Sequence, residues 1–287
     1  MTGAAVTVEI TGGLGNQMFQ YAAARSLALR LDAPLRLDLG FYRAGRHRTF
    51  ELDRLAVPPA LLREAPASRL ARLAGRLLGQ GGASYEEPHF HYDPAFAALS
   101  APVRLKGYFQ SPRYFEAHAD TIRSELMPPA ASDAESRDLA AVLSAAESVA
   151  LHIRRGDYVT SAKAQAIYAQ CTLGYYAEAL SRLPGDGPVV VFSDDIAWAR
   201  ANLSSPRRLV FAGEKAPRDG LADLHLMTRA RHHVIANSSF SWWGAWLAGE
   251  DGVTIAPDRW FNDPAVRDGD LFPPRWQRIP VAGTQPV

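Results

Sequence analysis

The chain has 287 residues, room for one large domain or two small ones. Its 47% hydrophobic and 21% charged residues are those of an ordinary globular protein, and 31 basic against 30 acidic side chains leave a net charge of +1, so no global field draws nucleic acid or an acidic partner. The single cysteine, Cys171, excludes a disulfide framework and a cysteine-rich zinc site. No apolar run approaches the ~20 residues of a membrane helix. The first five residues carry neither the basic region nor the apolar core of a signal peptide, so the expected location is the cytoplasm.

Residues 6–11 read as a strand, followed by Gly12-Gly13-Leu14-Gly15, a helix from Asn16 to about Leu31 and a strand over 35–39. This is the β–glycine loop–α–β opening of an α/β domain. Glycine lets a ligand approach the backbone, and the helix start favours negative charge, so Gly13, Gly15, Asn16 and Gln17 are candidate ligand contacts. A dinucleotide fingerprint needs a further small residue where this chain has Met18, which argues against a dehydrogenase although Asp38 ends the second strand. Over 61–78, Leu70, Leu73, Ala74, Leu77 and Leu78 recur at helical spacing between Arg63, Arg69, Arg72 and Arg76. That pattern suits a solvated surface helix with snorkelling arginines, or a peripheral contact with a membrane surface.

A strand is expected over 103–109. Ser111-Pro112 supplies an N-cap and a first-turn proline for a helix to about Glu125. Ser132-x-x-Glu135 reads as a capping box for a helix through Leu143. From 148 onward, strands near 149–154, 189–193, 208–212, 234–236 and 253–256 alternate with helices near 175–183, 196–203, 219–230 and 239–249. Such alternation indicates a mostly parallel sheet. The expected fold is therefore α/β, two Rossmann-like domains facing across a cleft: residues 1–145 with the glycine loop on the acceptor side, and 146–287 for the nucleotide.

Ligands of open α/β sheets sit outside the carboxyl ends of the strands, and three polar segments fall there. His152-Ile153-Arg154-Arg155-Gly156-Asp157 places two arginines where their forks suit phosphate oxygens, with Asp157 as a base or a brace. Ser193-Asp194-Asp195 offers carboxylates to ribose, base or a divalent cation, or caps the next helix. Asn237-Ser238-Ser239-Phe240 opens a helix whose unpaired N–H groups make an anion site. Trp242, Trp243 and Trp246 beyond it read as core first and as a stacking surface second.

Together these segments resemble the α-1,2-fucosyltransferases of glycosyltransferase family 11. The match runs through Gly12-Gly-Leu-Gly-Asn-Gln-Met-Phe-Gln-Tyr-Ala22, His152–Tyr158, Ser193–Asp195 and 237–247, with Gly107-Tyr-Phe-Gln-Ser111, Asp223-Leu-His-Leu-Met227 and Pro257-Asp-Arg-Trp-Phe261 between and after them. It spans almost the whole chain, except around 60–85 and 161–172. The resemblance implies a GT-B type fold, GDP-β-L-fucose as donor, a galactose-terminated oligosaccharide as acceptor, inversion at the fucose anomeric carbon, and no cofactor or metal. It makes Arg154 the leaving-group contact, supported by Arg155; Asp157, the nearest carboxylate in sequence, stands as either the base or a brace for an arginine. Ser238, Ser239 and the Phe240 amide would take the remaining phosphate oxygens, and His152, Asp194 and Asp195 ribose or guanine. Asn16 would approach the fucose or β-phosphate from the first domain.

Overall fold

The computed structural model describes residues 4–45, 48–65, 83–156, 161–214 and 218–281. It divides into two compact units, Met1–Met127 with Gly269–Leu271, and Pro128–Asp268 with Phe272–Val287. Both are α/β with all-parallel sheets, as the strand–helix alternation predicts.

In the first unit, β1 (Val6–Glu9), α1 (Leu14–Arg30), β2 (Leu35–Asp38), β3 (Ala83–Glu86) and β4 (Val103–Lys106) build a sheet of order β2-β1-β4-β3. The alternation of β1 sends Val6 and Val8 into the core. Met18, where a dinucleotide fingerprint needs a small residue, is a fully buried core side chain of α1. β3 has no sequence signal: its four residues, Ala-Ser-Tyr-Glu, are almost wholly exposed, as an edge strand allows. The helix expected after Ser111 starts as predicted, with Ser111 accepting from the Arg113 N–H and Pro112 leading. It then runs as 3₁₀ turns, Pro112–Tyr114 and Glu116–His118, before α2 (Ala119–Glu125). Phe115 separates the turns because its fully buried ring draws the backbone to φ −141°.

The segment 61–78 does not begin as a helix. Leu37 donates to Arg63 O and accepts from Ala65 N–H, so 63–65 run extended beside β2. Residues 66–78 lie outside the described residues. No described helix is long and apolar enough to cross a membrane.

The second unit runs α3 (Ala134–Leu143), β5 (Val149–Ile153), α4 (Ala162–Ile167), α5 (Leu173–Arg182), β6 (Val189–Ser193), α6 (Ile196–Asn202), β7 (Leu209–Phe211), α7 (Gly220–Met227), β8 (His232–Val234), α8 (Ser239–Leu247), β9 (Thr254–Pro257) and β10 (Gln277–Ile279). Its sheet order is β10-β9-β8-β5-β6-β7. Counted from β5 and read from β7, that is 3-2-1-4-5-6, the doubly wound Rossmann order, which reverses between β5 and β8. β5 is buried on both faces: Val149, Leu151 and Ile153 meet Tyr175, Tyr176 and Leu180 of α5, while Ala150 packs with Leu139 and Leu143 of α3 and Met227 of α7. Helix α3 thus belongs to the second unit, although a boundary at 145/146 assigns it to the first. Its cap is Asp133, whose carboxylate accepts from the Ser136 N–H at 2.9 Å, one residue beyond the Ser132 of the expected box. Glu135 turns away to the Gly213 N–H and Arg218.

Candidate functional site

The switch between β5 and β8 gathers the chemistry of the second unit. His152, Arg154 and Arg155 leave the end of β5, and Asp194 and Asp195 leave the end of its neighbour β6. Ser238 opens α8 beyond the other neighbour, β8. Three segments 40 or so residues apart in sequence become adjacent because parallel pairing puts all carboxyl ends on one edge.

Each arginine is held by its own carboxylate. Arg154 Nη1 lies 2.9 Å from Asp194 Oδ2, and Arg155 Nε lies 3.1 Å from Asp195 Oδ2. The Arg155 N–H also donates to Asp194 Oδ1 at 2.8 Å. A Cβ on Gly156 would lie 2.6 Å from Asp194 Oδ2, so glycine is what lets that carboxylate close on Arg154. The Arg155 guanidinium stacks 3.9 Å from the Trp198 ring centroid, a cation–π contact with no signal in the local sequence pattern. Asp195 does cap α6, accepting from the Trp198 N–H at 3.1 Å. The acidic pair is therefore tied to the arginines, and Asp195 is tied to the helix start as well. A fork held on one side by a carboxylate keeps its remaining N–H groups preorganised for a second anion.

His152 sits beneath this surface, buried, with its ring 5.7 Å from that of Phe240. Burial first, and the positive charge of Arg154 second, push its pKa down to about 3, so the imidazole is neutral near neutrality. Its Nδ1 is buried with no hydrogen-bond partner among the described residues. Ser238 is the N-cap of α8 but makes no side-chain capping bond, while its N–H donates to Ala236 O. Ser239 and Phe240 are partly exposed at the first turn. Behind them Trp242 and Trp243 are fully buried and Trp246 nearly so, the core role rather than a stacking surface. Asn237 is buried too: its Nδ2 donates to the carbonyls of Ala169 and Trp260, clasping two loops, and its Oδ1 has no partner among the described residues. Asp157, the candidate base or brace, lies outside the described residues.

The glycine loop belongs to the first unit, at the end of β1. Gly12 has φ +79°, and a Cβ there would lie 2.8 Å from Asn16 Nδ2, so only glycine fits under the folded-back Asn16 amide. Gly13 is the extended N-cap of α1, and Gly15 is buried in its first turn. Gln17 is fully buried and faces inward: its Nε2 donates to Thr49 O and Gly12 O, and its Oε1 accepts from the Glu51 N–H. Gln20, to which sequence reading assigned no role, accepts from the Thr11 N–H at 2.9 Å and donates to Gly107 O at 3.0 Å. Gln110 donates to Asn16 Oδ1 at 2.7 Å. Both glutamines stand inside segments singled out as motifs, which is the only signal sequence offers for them. Asp38, the dehydrogenase candidate, is occupied by Arg104 and the Gly40 N–H.

Two Rossmann-like parallel units, one with arginines at its switch point, define the GT-B-like α/β class. The chain belongs to Glycosyl transferase family 11, whose model matches residues 87–280. It is 32% identical to an alpha-1,2-colitosyltransferase of Escherichia coli, over 96% of this chain and 98% of that protein. An O-antigen biosynthesis glycosyltransferase of Escherichia coli, WbnK, is 28% identical over 88% of this chain and 93% of its own. A galactoside 2-alpha-L-fucosyltransferase of Bos taurus is 29% identical over 97% of this chain and 73% of its own.

Proposed function

We propose that this glycosyltransferase moves L-fucose from GDP-β-L-fucose to the 2-hydroxyl of a terminal galactoside, with inversion. The observation that carries the phosphate chemistry is the Arg154–Arg155 pair at the end of β5, one strand from the start of α8 at the switch point. Departure of GDP builds negative charge on the β-phosphate while the sugar ring becomes oxocarbenium-like. Fixed positive charge at the leaving oxygen lowers that barrier without reorganisation. Arg154 makes this contact, oriented by Asp194. Arg155, stacked on Trp198 and held by Asp195, supports it. The first turn of α8, with Ser238, Ser239 and the Phe240 amide, takes further phosphate oxygens, and His152 and Asp194 line the nucleoside side. The bovine relative's printed activity supports fucose and the 2-position.

The reading needs no metal: the two carboxylates that would hold a cation are each paired with an arginine. Turnover unchanged by a chelator is the expected result. Colitose is a second donor reading, favoured by the 32% identical relative. It is the 3-deoxy analogue of fucose, so the same phosphate apparatus serves both sugars. A site that hydrogen-bonds a hydroxyl rejects the analogue lacking it by orders of magnitude, whereas an apolar site rejects the hydroxylated one weakly. GDP release is therefore measured with each donor, with the product linkage read by NMR. Fucose transfer to a galactose 2-hydroxyl is expected. Release from GDP-colitose alone would move the donor, and a product joined elsewhere than at the 2-hydroxyl would sink the regiochemistry.

A further inference from the structure

In the first unit, the turn after β4 is pinned at almost every residue. Gly107 O is held by Gln20. Both the Tyr108 and Phe109 N–H groups are held by the Glu87 carboxylate, at 2.7 and 3.0 Å. A Cβ on Gly107 would lie 2.5 Å from the Glu87 Cβ, so only glycine admits this clasp. Phe109, at φ +54°, drives its fully buried ring against the buried Phe96 and Tyr114 and the half-buried Tyr85. Gln110 is tied to Asn16. One side chain of this turn is left out: the Tyr108 ring is 49% exposed, and with Ile167 it is one of the two large hydrophobic side chains left exposed among the described residues.

Such anchoring costs conformational entropy, and nothing in the first unit's core requires the Tyr108 ring to be presented. An aromatic face on a rigid turn is a preorganised surface, because little freedom remains to be lost on binding. Beside it stands the Asn16–Gln110 amide pair at the adjacent ends of β1 and β4. Its internal bond uses one acceptor of Asn16 and one donor of Gln110. Asn16 Nδ2 and Gln110 Oε1 make no hydrogen bond to another described residue, leaving a neutral donor on a half-buried side chain and a neutral acceptor on a buried one. A pyranose has the matching chemistry: an apolar C–H face and hydroxyls that each donate and accept. Apolar walls with a few placed polar groups are the usual make-up of small-ligand sites.

We propose that the turn 107–110 is the acceptor-sugar platform, with the Tyr108 ring against the C–H face of a hexopyranoside and the Asn16–Gln110 pair on its hydroxyls. The assignment of that sugar as acceptor rests on the glycosyltransferase reading above, and sugar binding itself does not. The test is saturation-transfer NMR from the protein to free lactose, alongside steady-state kinetics. Wild type is expected to transfer saturation to the galactose protons. Tyr108→Ala loses most of it and raises the acceptor KM about three- to ten-fold with the donor KM unmoved, the range of one aromatic contact, and Tyr108→Phe retains both. Because the ring is exposed, the variant keeps the wild-type thermal midpoint. Wild type without transfer to lactose, or Tyr108→Ala with unchanged transfer, overturns the platform. Absence of GDP release from any GDP-sugar would instead sink the transferase reading and leave the lactose result standing on its own.

Discussion

The carboxyl ends of the two parallel sheets use opposite chemistry on similar backbones. In the second unit the edge is ionic: Arg154 with Asp194, and Arg155 with Asp195, over a neutral buried His152. In the first unit the loop beside β1 is held by neutral amides, Gln17, Gln20, Asn16 and Gln110. Parallel pairing decides only where loops gather. Side chains decide what they bind: paired forks favour an anion with developing charge, and amides favour uncharged hydroxyls. The ionic edge pairs its arginines with carboxylates of the neighbouring strand end, whereas Gln17 and Gln20 hold the loop itself.

That contrast breaks if substitutions on the two edges have the same consequence. Arg154→Ala should cost turnover, roughly 10²–10³ in kcat, or about 2.7–4 kcal/mol, by analogy with oxyanion donors. It should leave urea unfolding nearly unchanged, and near wild-type GDP release would remove Arg154 from the site. Gln20→Met should do the reverse to stability. It removes three part-buried bonds, to the Thr11 N–H, the Thr11 hydroxyl and the Gly107 carbonyl, a loss of about 2–4 kcal/mol read as a shift in the urea midpoint at constant slope.

A pH series sharpens the second-unit side. His152 and His233 are both buried with pKa values pushed down to about 3 and about 4, His233 also by burial first. The unfolded chain takes up these protons below about 6.5 and the folded chain does not. Neither histidine affects stability above that pH. Stability falls as pH drops below it, by about 1.4 kcal/mol per pH unit for each, until the folded imidazole itself protonates. His152→Phe should remove one histidine's share of the slope, and an unchanged slope between pH 6 and pH 4.5 would place the imidazole in water. The smallest effect belongs to Asp195→Ala. It removes an N-cap worth about 1 kcal/mol and the Arg155 partner together, so a lower thermal midpoint and a modest loss of turnover are expected together.

Much of this was legible in residues alone. The sequence predicts the strand Val189–Ser193 to the residue because a run of β-branched side chains ends at a cap. The Asp195 cap, the tryptophan core of α8 and the arginines at the end of β5 likewise follow from local pattern. Edge strands β3 and β10 have no sequence signature, since mostly exposed three- and four-residue strands carry no periodicity. The capping box at Ser132 shifted by one residue because two adjacent side chains both suit a cap.

What the sequence by itself determined is the alternation, the polar segments at strand ends and the family they resemble, because these depend on near neighbours. The assignment of partners came only with tertiary structure. Asn237 and Gln17 sit in motifs that invite a ligand, yet their amides clasp backbone carbonyls, Trp260 and Ala169 for one and Thr49 and Gly12 for the other. Those carbonyls lie 23 to 68 and 5 to 32 residues away, and what an amide does depends on which atom the fold brings within hydrogen-bond reach of it.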